Sequence, residues 1–419
     1  MNGMKKLYTG KKAGIILIIL GFLGAAVFIA MASTLNPWSM KLPHLDSAVW
    51  LRCAVGMKQG ETLYVDVWDH KGPVLFAIQY LGLTLTPHSL TGIWLLECLC
   101  IFLLLWSFYL VAGLVSGRRP VRFLASVLSL HSFYYFYQQG NCVEEWALPL
   151  IGFSLYFFAK YLKTERIIRR EIVLAGAFMA LSFLLNGNLV AVWVCFVPVT
   201  GIKLIWQKKW KELGQCVLCF GGGFAAVTAV VLLVLGLQGA LGAFMEAYFG
   251  FNSSYVSGVT LSSFLSAVLN FAYWDSWFGY VNVLLLFFLV HRRKPDWKWS
   301  GLLYSAVTLI LINISGRGYE HYGLQLIPCM IIPMAVCVEA VRSWCRNYWE
   351  FLFVLAVVSV VWLRFEVSHY QEQIDWTLTE EGDNSFAGGK VENYTVVNEW
   401  LNGRWSDEAI EKWVVNDTW

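Results

Sequence analysis

Long apolar runs separated by short polar loops extend over most of the chain. The first run, Ala13–Ser33, follows a short basic segment and is long enough to cross a bilayer, which takes about 20 helical residues. We expect it to be an uncleaved first helix. The next run, Val74–Leu85, is too short to span and favours a helix lying in the membrane interface. Further runs fall near residues 90–115, 122–139, 147–162, 172–186, 188–206, 213–236, 265–290, 300–315, 322–341 and 350–363, and with the first helix they predict eleven spans.

Charge alternates between successive loops. Basic residues cluster at 118–122, 163–170, 208–211, 292–294 and 342–346, and acidic residues cluster in the loops between them. Cytoplasmic loops carry an excess of Lys and Arg. We therefore expect the N-terminus in the cytoplasm and the loops 34–89, 140–146 and 316–321 on the outer face. Counting 74–85 as a span would place Arg118 outside and break this alternation.

Composition agrees with an all-α polytopic membrane protein. Hydrophobic residues make up 58% of the chain and charged residues 14%, whereas soluble domains average about 25% charged residues. Polar segments carry no basic face interleaved with aromatics, which argues against a nucleic-acid partner. The ten cysteines show neither metal-ligand spacing nor a disulfide framework. We assign no metal ligand and no cofactor.

Three loops on the predicted outer face hold the candidates for chemistry. The first loop carries Asp46, Asp66, Asp69, His70 and Lys71. The second carries Glu144 and Glu145, and the third reads Gly316-Arg317-Gly318-Tyr319-Glu320-His321-Tyr322. Because the three loops share one membrane face, their side chains can meet in one site.

The order of these elements resembles the membrane-embedded GT-C glycosyltransferases, the class of the protein O-mannosyltransferases and the lipid A aminoarabinose transferase, with their bacterial relatives. The resemblance covers roughly residues 10–160. It rests on a loop opening on Leu45-Asp46-Ser47, a Lys71-Gly72-Pro73 turn into an interfacial helix, and an acidic second loop. Gly72 stands where the related turn has a first Pro. We assign residues 1–363 to a membrane-embedded GT-C-like domain with a catalytic loop at 34–89, and 364–419 to a short external segment.

The resemblance implies transfer of a sugar from a polyprenyl-phosphate donor to a hydroxyl of a lipid, glycan or protein, with inversion, on the extracytoplasmic side of the cell membrane. The donor already has an anionic leaving group. The reaction therefore needs a carboxylate base for the acceptor and cations for the departing phosphate. Asp46 is the expected base, and Glu144 or Glu145 is expected to hold the acceptor or the base. The expected phosphate ligands are Lys71, Arg317 and His70.

Structural roles stay open for several of these residues. Asp66 and Asp69 are assigned to substrate binding but can instead form turns or helix caps. For Arg317 and His321, anchoring at the interface competes with substrate contact, and Tyr322 is assigned to substrate with them. Glu97, inside an apolar run, is expected to hydrogen-bond a neighbouring helix because an unpaired charge there would be costly.

A transporter or lipid flippase is the main alternative function. Such proteins place ionisable groups near the bilayer midplane, on broken helices in two related halves. This chain concentrates its carboxylates in outer loops instead, and its halves show no visible symmetry. The pattern therefore favours an enzyme.

Overall fold

A computed structural model describes residues 2–379 apart from positions 40, 42, 44, 88, 256–258 and 293–295. Over this part of the chain the regular elements are helical, which confirms the all-α class, and one isolated bridge joins Leu63 and Val67. A π-helical turn, Glu246–Phe251, and a 3-10 helix, Glu320–Met330, accompany the α-helices. The α-helices are α1 Asn2–Ala30, α2 Leu45–Gln59, α3 Pro73–Leu85, α4 Thr91–Val115, α5 Arg119–Leu128, α6 Phe133–Tyr137, α7 Val143–Thr164, α8 Arg169–Phe183, α9 Ala191–Trp206, α10 Trp210–Leu237, α11 Leu241–Met245, α12 Asn252–Tyr255, α13 Leu261–Trp274, α14 Ser276–Arg292, α15 Trp299–Ile312, α16 Ile331–Trp344 and α17 Tyr348–Leu378.

Four helical segments among the described residues are long and apolar enough to cross a membrane. They are Ala13–Ala30 in α1, Thr91–Val115, Trp210–Leu237, and Glu320–Trp344, in which the 3-10 helix continues into α16. Shorter apolar helices, among them α3, α9 and α15, accompany them. The chain is a membrane protein, and the number of eleven spans stays a prediction.

Three of the predicted spans consist of two elements each. Segment 122–139 contains α5 and α6, segment 322–341 contains the end of the 3-10 helix and α16, and segment 265–290 contains α13 and α14. The break in the last of these lies at Asp275, whose Oδ1 accepts a hydrogen bond from the Phe278 N–H at 3.0 Å. A side-chain acceptor at this position caps the first turn of α14. Hydropathy misses the break because a single cap residue barely changes the average of an apolar run.

The Lys71-Gly72-Pro73 turn packs against the end of α8. The Gly72 N–H donates to the Leu185 carbonyl oxygen at 2.9 Å, and a Cβ added at Gly72 would lie 1.9 Å from the Leu184 carbonyl oxygen. A proline at this position would lack the N–H and would carry ring carbons into the same contact. Pro73 itself occupies the first turn of α3, where its missing N–H costs nothing. Glycine therefore replaces the first proline of the related turn for a steric reason.

Helix α4 packs against five other helices. It contacts α1, α3, α5, α7 and α16. At the other end of the chain, α17 continues past the predicted last span, 350–363, into the predicted external segment. The Thr377 hydroxyl lies 3.4 Å from the Met31 carbonyl oxygen, which joins this helix to the end of α1. Residues 380–419 of the predicted external segment lie outside the described residues.

Candidate active site

A polar pocket lies where the first turns of α2 and α7 meet the Lys71 turn. We call it the acidic pocket; its walls are Asp46, Ser47, Trp50, Lys71, Gly140, Asn141, Cys142, Val143, Glu144 and His321. Four predicted site residues thus converge here from three loops that are far apart in sequence. Asp46 itself is exposed on the first turn of α2, so that its carboxylate is accessible to an acceptor arriving from water.

Glu144 is the buried carboxyl group of the acidic pocket. It is fully buried, and neither of its carboxylate oxygens has a hydrogen-bond partner among the described residues. Desolvation by burial raises the pKa of Glu144 from 4.5 to about 7, although the nearby charge of Lys71 lowers it in part. Near neutral pH this carboxyl group can therefore donate or accept a hydrogen bond at an incoming substrate hydroxyl.

Glu145 is also fully buried but does not line the acidic pocket. Successive side chains on a helix point about 100° apart, so the neighbours face different surroundings. Burial raises the pKa of Glu145, and the negative charge of Glu97 raises it further. Of the two glutamates that were predicted together, the structure brings only Glu144 to the acidic pocket.

Lys71 supplies the positive charge of the site. Its Nζ lies 3.2 Å from His70 Nε2. Burial lowers the pKa of His70 to about 4, and the charge of Lys71 adds to this effect. The imidazole is therefore neutral at pH 7 and can accept a hydrogen bond from the Lys71 ammonium. This leaves Lys71, and not His70, as the cation at the expected phosphate position.

A second cavity of about 440 Å³ adjoins the acidic pocket and shares Lys71 with it. We call it the lipid cavity. Its walls are mostly apolar and include Phe183, Phe249, Leu311 and Ile314, with His70 and Tyr322 also present. An amphiphile fits this arrangement, with its polar head at Lys71 and its hydrocarbon part along the apolar walls.

Two asparagines of the lipid cavity were not singled out as site residues from the sequence. The Asn252 side-chain amide donates to the His70 carbonyl oxygen at 2.9 Å and to the Tyr248 carbonyl oxygen at 2.7 Å. The buried Oδ1 of Asn188 has no hydrogen-bond partner among the described residues. No sequence motif marks Asn188, and Asn252 opens only an Asn-Ser-Ser glycosylation sequon, which does not indicate a substrate contact. Only the fold places the two asparagines beside the Lys71 turn.

Asp66 and Asp69 form turns and line neither the acidic pocket nor the lipid cavity. Asp69 Oδ1 accepts a hydrogen bond from the Lys71 N–H at 2.7 Å, and Asp66 Oδ2 accepts one from the Thr62 N–H at 2.7 Å. Burial raises the pKa of Asp69, whereas the Lys71 N–H and the charge of Lys71 lower it. Asp69 thus orients the backbone that carries Lys71, which is the structural role left open for it.

The third loop divides between the two cavities. His321 lines the acidic pocket, and its Nδ1 lies 3.1 Å from Gln138 Oε1. Tyr322 lines the lipid cavity and meets the His321 ring edge-on, with 4.9 Å between ring centroids. Arg317 is exposed, lies outside both cavities, and has its Nη1 3.3 Å from the Tyr319 hydroxyl. The structure therefore brings His321 and Tyr322, but not Arg317, to the site.

The loop before α7 has an unusual backbone that Glu97 holds in place. Four successive residues have positive φ: Gln138 at 45°, Gln139 at 74°, Gly140 at 85° and Asn141 at 53°. Residues other than glycine rarely adopt this backbone conformation. The Glu97 carboxylate accepts hydrogen bonds from the Asn141 N–H at 2.6 Å and from the hydroxyl of Ser33, just beyond α1, at 2.8 Å. Glu97 therefore satisfies a buried backbone donor of the loop that carries the acidic pocket.

The Asn141 side chain connects three elements around the acidic pocket. Its Nδ2 donates to the Ser47 hydroxyl at 2.7 Å, and its Oδ1 accepts from Gln79 Nε2 at 2.7 Å and from Trp146 Nε1 at 3.1 Å. These partners lie on α2, α3 and α7. The network fixes Ser47, and with it the neighbouring Asp46, relative to Glu144. In the described part of the chain, no group of three or more His, Cys, Asp or Glu side chains could hold a metal ion.

Comparison with solved structures identifies the fold. The chain is similar to the archaeal oligosaccharyltransferase AglB from Archaeoglobus fulgidus, a GT-C-type glycosyltransferase, in complex with an inhibitory peptide and a dolichol-phosphate. The TM-score is 0.56 and the identity 14% over 95% of this chain. The chain has a GT-C fold. The apo crystal structure of the Archaeoglobus fulgidus oligosaccharyltransferase agrees, with a TM-score of 0.54 and 12% identity over 95% of this chain.

The likeness is confined to the fold. This chain spans 59% of the length of each oligosaccharyltransferase chain. No family model and no curated protein matches its sequence.

Proposed function

We propose that this GT-C protein transfers a sugar from a polyprenyl-phosphate-linked donor to an acceptor hydroxyl. The observation that carries the proposal is the position of Lys71, which lines both the acidic pocket and the apolar lipid cavity. A polyprenyl-phosphate sugar has the same sequence of parts: a hydrocarbon chain, an anionic phosphate and a polar sugar. The lipid cavity accepts the chain and Lys71 the phosphate. The sugar and the acceptor lie at the mouth of the acidic pocket, where Asp46 is exposed.

The reaction is a single displacement at the anomeric carbon. Asp46 takes the proton of the acceptor hydroxyl as its oxygen attacks C1, and the bond between C1 and the phosphate oxygen breaks. The electron pair leaves with the phosphate, whose growing negative charge is stabilised by Lys71. Glu144 hydrogen-bonds the acceptor hydroxyl and orients it towards the face opposite the phosphate, which inverts the anomeric centre. The acceptor is a lipid, glycan or protein, and the site lies on the extracytoplasmic face.

The test is sugar transfer by the purified protein with polyprenyl-phosphate sugars. Asp46→Asn keeps the shape of the side chain but removes its ability to take a proton. We expect transfer to fall about 10²–10⁴-fold, with donor binding unchanged. Lys71→Ala should weaken donor binding as well as transfer, because it removes the charge that faces the phosphate. Asp66→Asn is the matched control, since Asp66 lies in the same loop but outside both cavities.

Two outcomes would contradict this proposal. Wild-type transfer by Asp46→Asn would show that Asp46 is not the base. Movement of lipid-linked sugar across proteoliposomes by the wild type, with no transfer to any acceptor, would establish the transporter or flippase alternative instead.

A further inference from the structure

A third cavity lies at the opposite end of α7 from Glu144. It encloses about 340 Å³ between α7, α8, α9 and α10, and we call it the distal cavity. Since α7 has 22 residues and a helix rises about 1.5 Å per residue, the two ends of α7 are roughly 30 Å apart. The distal cavity is therefore separate from the candidate active site.

The walls of the distal cavity are almost entirely apolar and leave open space at two glycines. A Cβ added at Gly201 or at Gly221 would meet no other atom within 4 Å. Val217, on the same wall, is 63% exposed. It belongs to α10, whose apolar stretch is largely exposed on the outside of the protein. The distal cavity thus opens towards the hydrocarbon that surrounds the protein, and a lipid chain can enter it.

Two polar groups in the walls have no protein partner. The Tyr161 hydroxyl and the Thr200 hydroxyl are both buried and have no hydrogen-bond partner among the described residues. Buried hydroxyl groups are usually hydrogen-bonded. An occupant that places oxygen atoms next to its hydrocarbon part, as ester linkages do, would satisfy both hydroxyls.

The mouth of the distal cavity carries unpaired positive charge. Three acids at this end are already paired. Glu171 lies 2.7 Å from Lys160, Glu165 lies 2.9 Å from Lys203, and Glu212 lies 3.9 Å from Lys209. In contrast, Arg166, Arg169 and Arg170 have no acidic partner within the part of the chain that the structure describes. Arg166 lines the distal cavity. The charge at the mouth is therefore complementary to a phosphate group.

We propose that the distal cavity binds one anionic phospholipid. Its phosphate lies at Arg166, its ester oxygens accept hydrogen bonds from the Tyr161 and Thr200 hydroxyls, and one acyl chain fills the space beside Gly201 and Gly221. Basic pockets between membrane helices are suited to anionic headgroups. The ligand must also have a hydrocarbon part, because the walls beyond the mouth are mostly apolar and do not bind a free phosphate. The proposal does not depend on the sugar-transfer reaction.

The test is lipid binding by the full chain in detergent, measured by native mass spectrometry with added phosphatidylglycerol or phosphatidylcholine. Gly221→Leu adds a side chain to the wall of the distal cavity, where a Cβ meets no other atom within 4 Å. We expect it to weaken phosphatidylglycerol binding about tenfold, or roughly 1.4 kcal/mol. Gly222→Leu is the matched control, because Gly222 is the next residue on α10, is equally open, and does not line the distal cavity. Arg166→Gln should weaken binding about fivefold, as expected for one basic residue near a membrane surface.

The proposal is upheld if phosphatidylglycerol binds more tightly than phosphatidylcholine and only Gly221→Leu and Arg166→Gln reduce its binding. Equal losses in the two glycine variants would show that the lipid lies elsewhere on α10. Equal binding of the two lipids would show a groove without selection for charge. Displacement of the lipid by inorganic phosphate would show a free-phosphate site. Each of these three results would overturn it.

Discussion

The charged side chains at the two ends of α7 differ in burial and in pairing. At its first turn, Glu144 and Glu145 are fully buried, and their carboxylate oxygens have no hydrogen-bond partner among the described residues. Near its last turn, Lys160 forms an ion pair of 2.7 Å with Glu171. The first turn faces the acidic pocket, whereas the last turn faces the distal cavity and the unpaired arginines.

This difference in burial and pairing distinguishes side chains that are expected to react from side chains that form structural contacts. A buried carboxyl group without a partner lowers the stability of the fold, and such groups cluster at functional sites. A partly exposed ion pair satisfies both of its members and contributes little. At the start of α7, Glu144 is the expected reactive group because it alone of the two glutamates lines the acidic pocket. The far end is where we propose that a phospholipid binds.

The largest effect on stability is expected at Glu97, which holds the loop before α7. Glu97→Leu removes the acceptor of three buried donors, the Asn141 N–H and the hydroxyls of Ser33 and Tyr137. Each such group costs about 1–3 kcal/mol, so for three groups we expect a loss of at least about 3 kcal/mol in the free energy of unfolding. Denaturant unfolding in detergent measures it. Glu97→Gln, which keeps one acceptor oxygen, is the control, and equal stability of the two variants would show that Glu97 does not hold the loop.

A smaller and pH-dependent effect is expected at Glu144. The pKa of Glu144 is raised from 4.5 to about 7 in the folded protein. The stability that protonated Glu144 contributes to the folded protein is therefore complete below about pH 4.5 and is lost as the pH rises through 7. Glu144→Gln removes this loss of stability at high pH, because glutamine does not ionise. The variant should gain up to about 3 kcal/mol over the wild type above pH 7, from about 1.4 kcal/mol per pKa unit, and almost nothing near pH 4. Thermal unfolding at pH 4 and pH 9 measures the difference.

Glu145→Gln is the matched variant for the chemical role of Glu144. Burial also raises the pKa of Glu145, so its substitution should stabilise the protein at high pH in the same direction. Only Glu144→Gln should slow sugar transfer, by several-fold, because only Glu144 lines the acidic pocket and a single hydrogen bond contributes about 1 kcal/mol. Equal transfer rates in the two variants would argue against a role for Glu144 with the acceptor.

The smallest effect is expected at the far end of α7. Glu171→Gln removes the charge of the pair with Lys160 but keeps a hydrogen-bond acceptor. We expect a loss below about 1 kcal/mol, which should shrink further in 1 M salt because ions screen exposed charges. Unfolding in low and high salt provides the measurement. If Glu171→Gln lowered the free energy of unfolding as much as Glu97→Leu, the proposed contrast between the two ends of α7 would be wrong.

The candidate site could be predicted in outline but not in its details. Asp46, Lys71 and Glu144 stood out because charged residues are rare in this chain and recur in loops on one predicted face. The division between Glu144 and Glu145 could not be predicted, since both occupy the first turn of one helix and only the packing of α4 against α7 decides which of them faces the acidic pocket. The same holds for Arg317, which the motif placed with His321 and which the structure leaves outside both cavities.

The sequence by itself determined the class of this protein, because apolar runs of membrane length and sparse charge leave helices as the stable solution in a bilayer. It also determined the turn into α3, since Pro73 suits only the start of a helix. The tertiary structure alone decided why Gly72 is required, through its contact with Leu184 more than a hundred residues away. It alone revealed the distal cavity as well, because open space arises where four helices meet, and no local pattern records the gap between them.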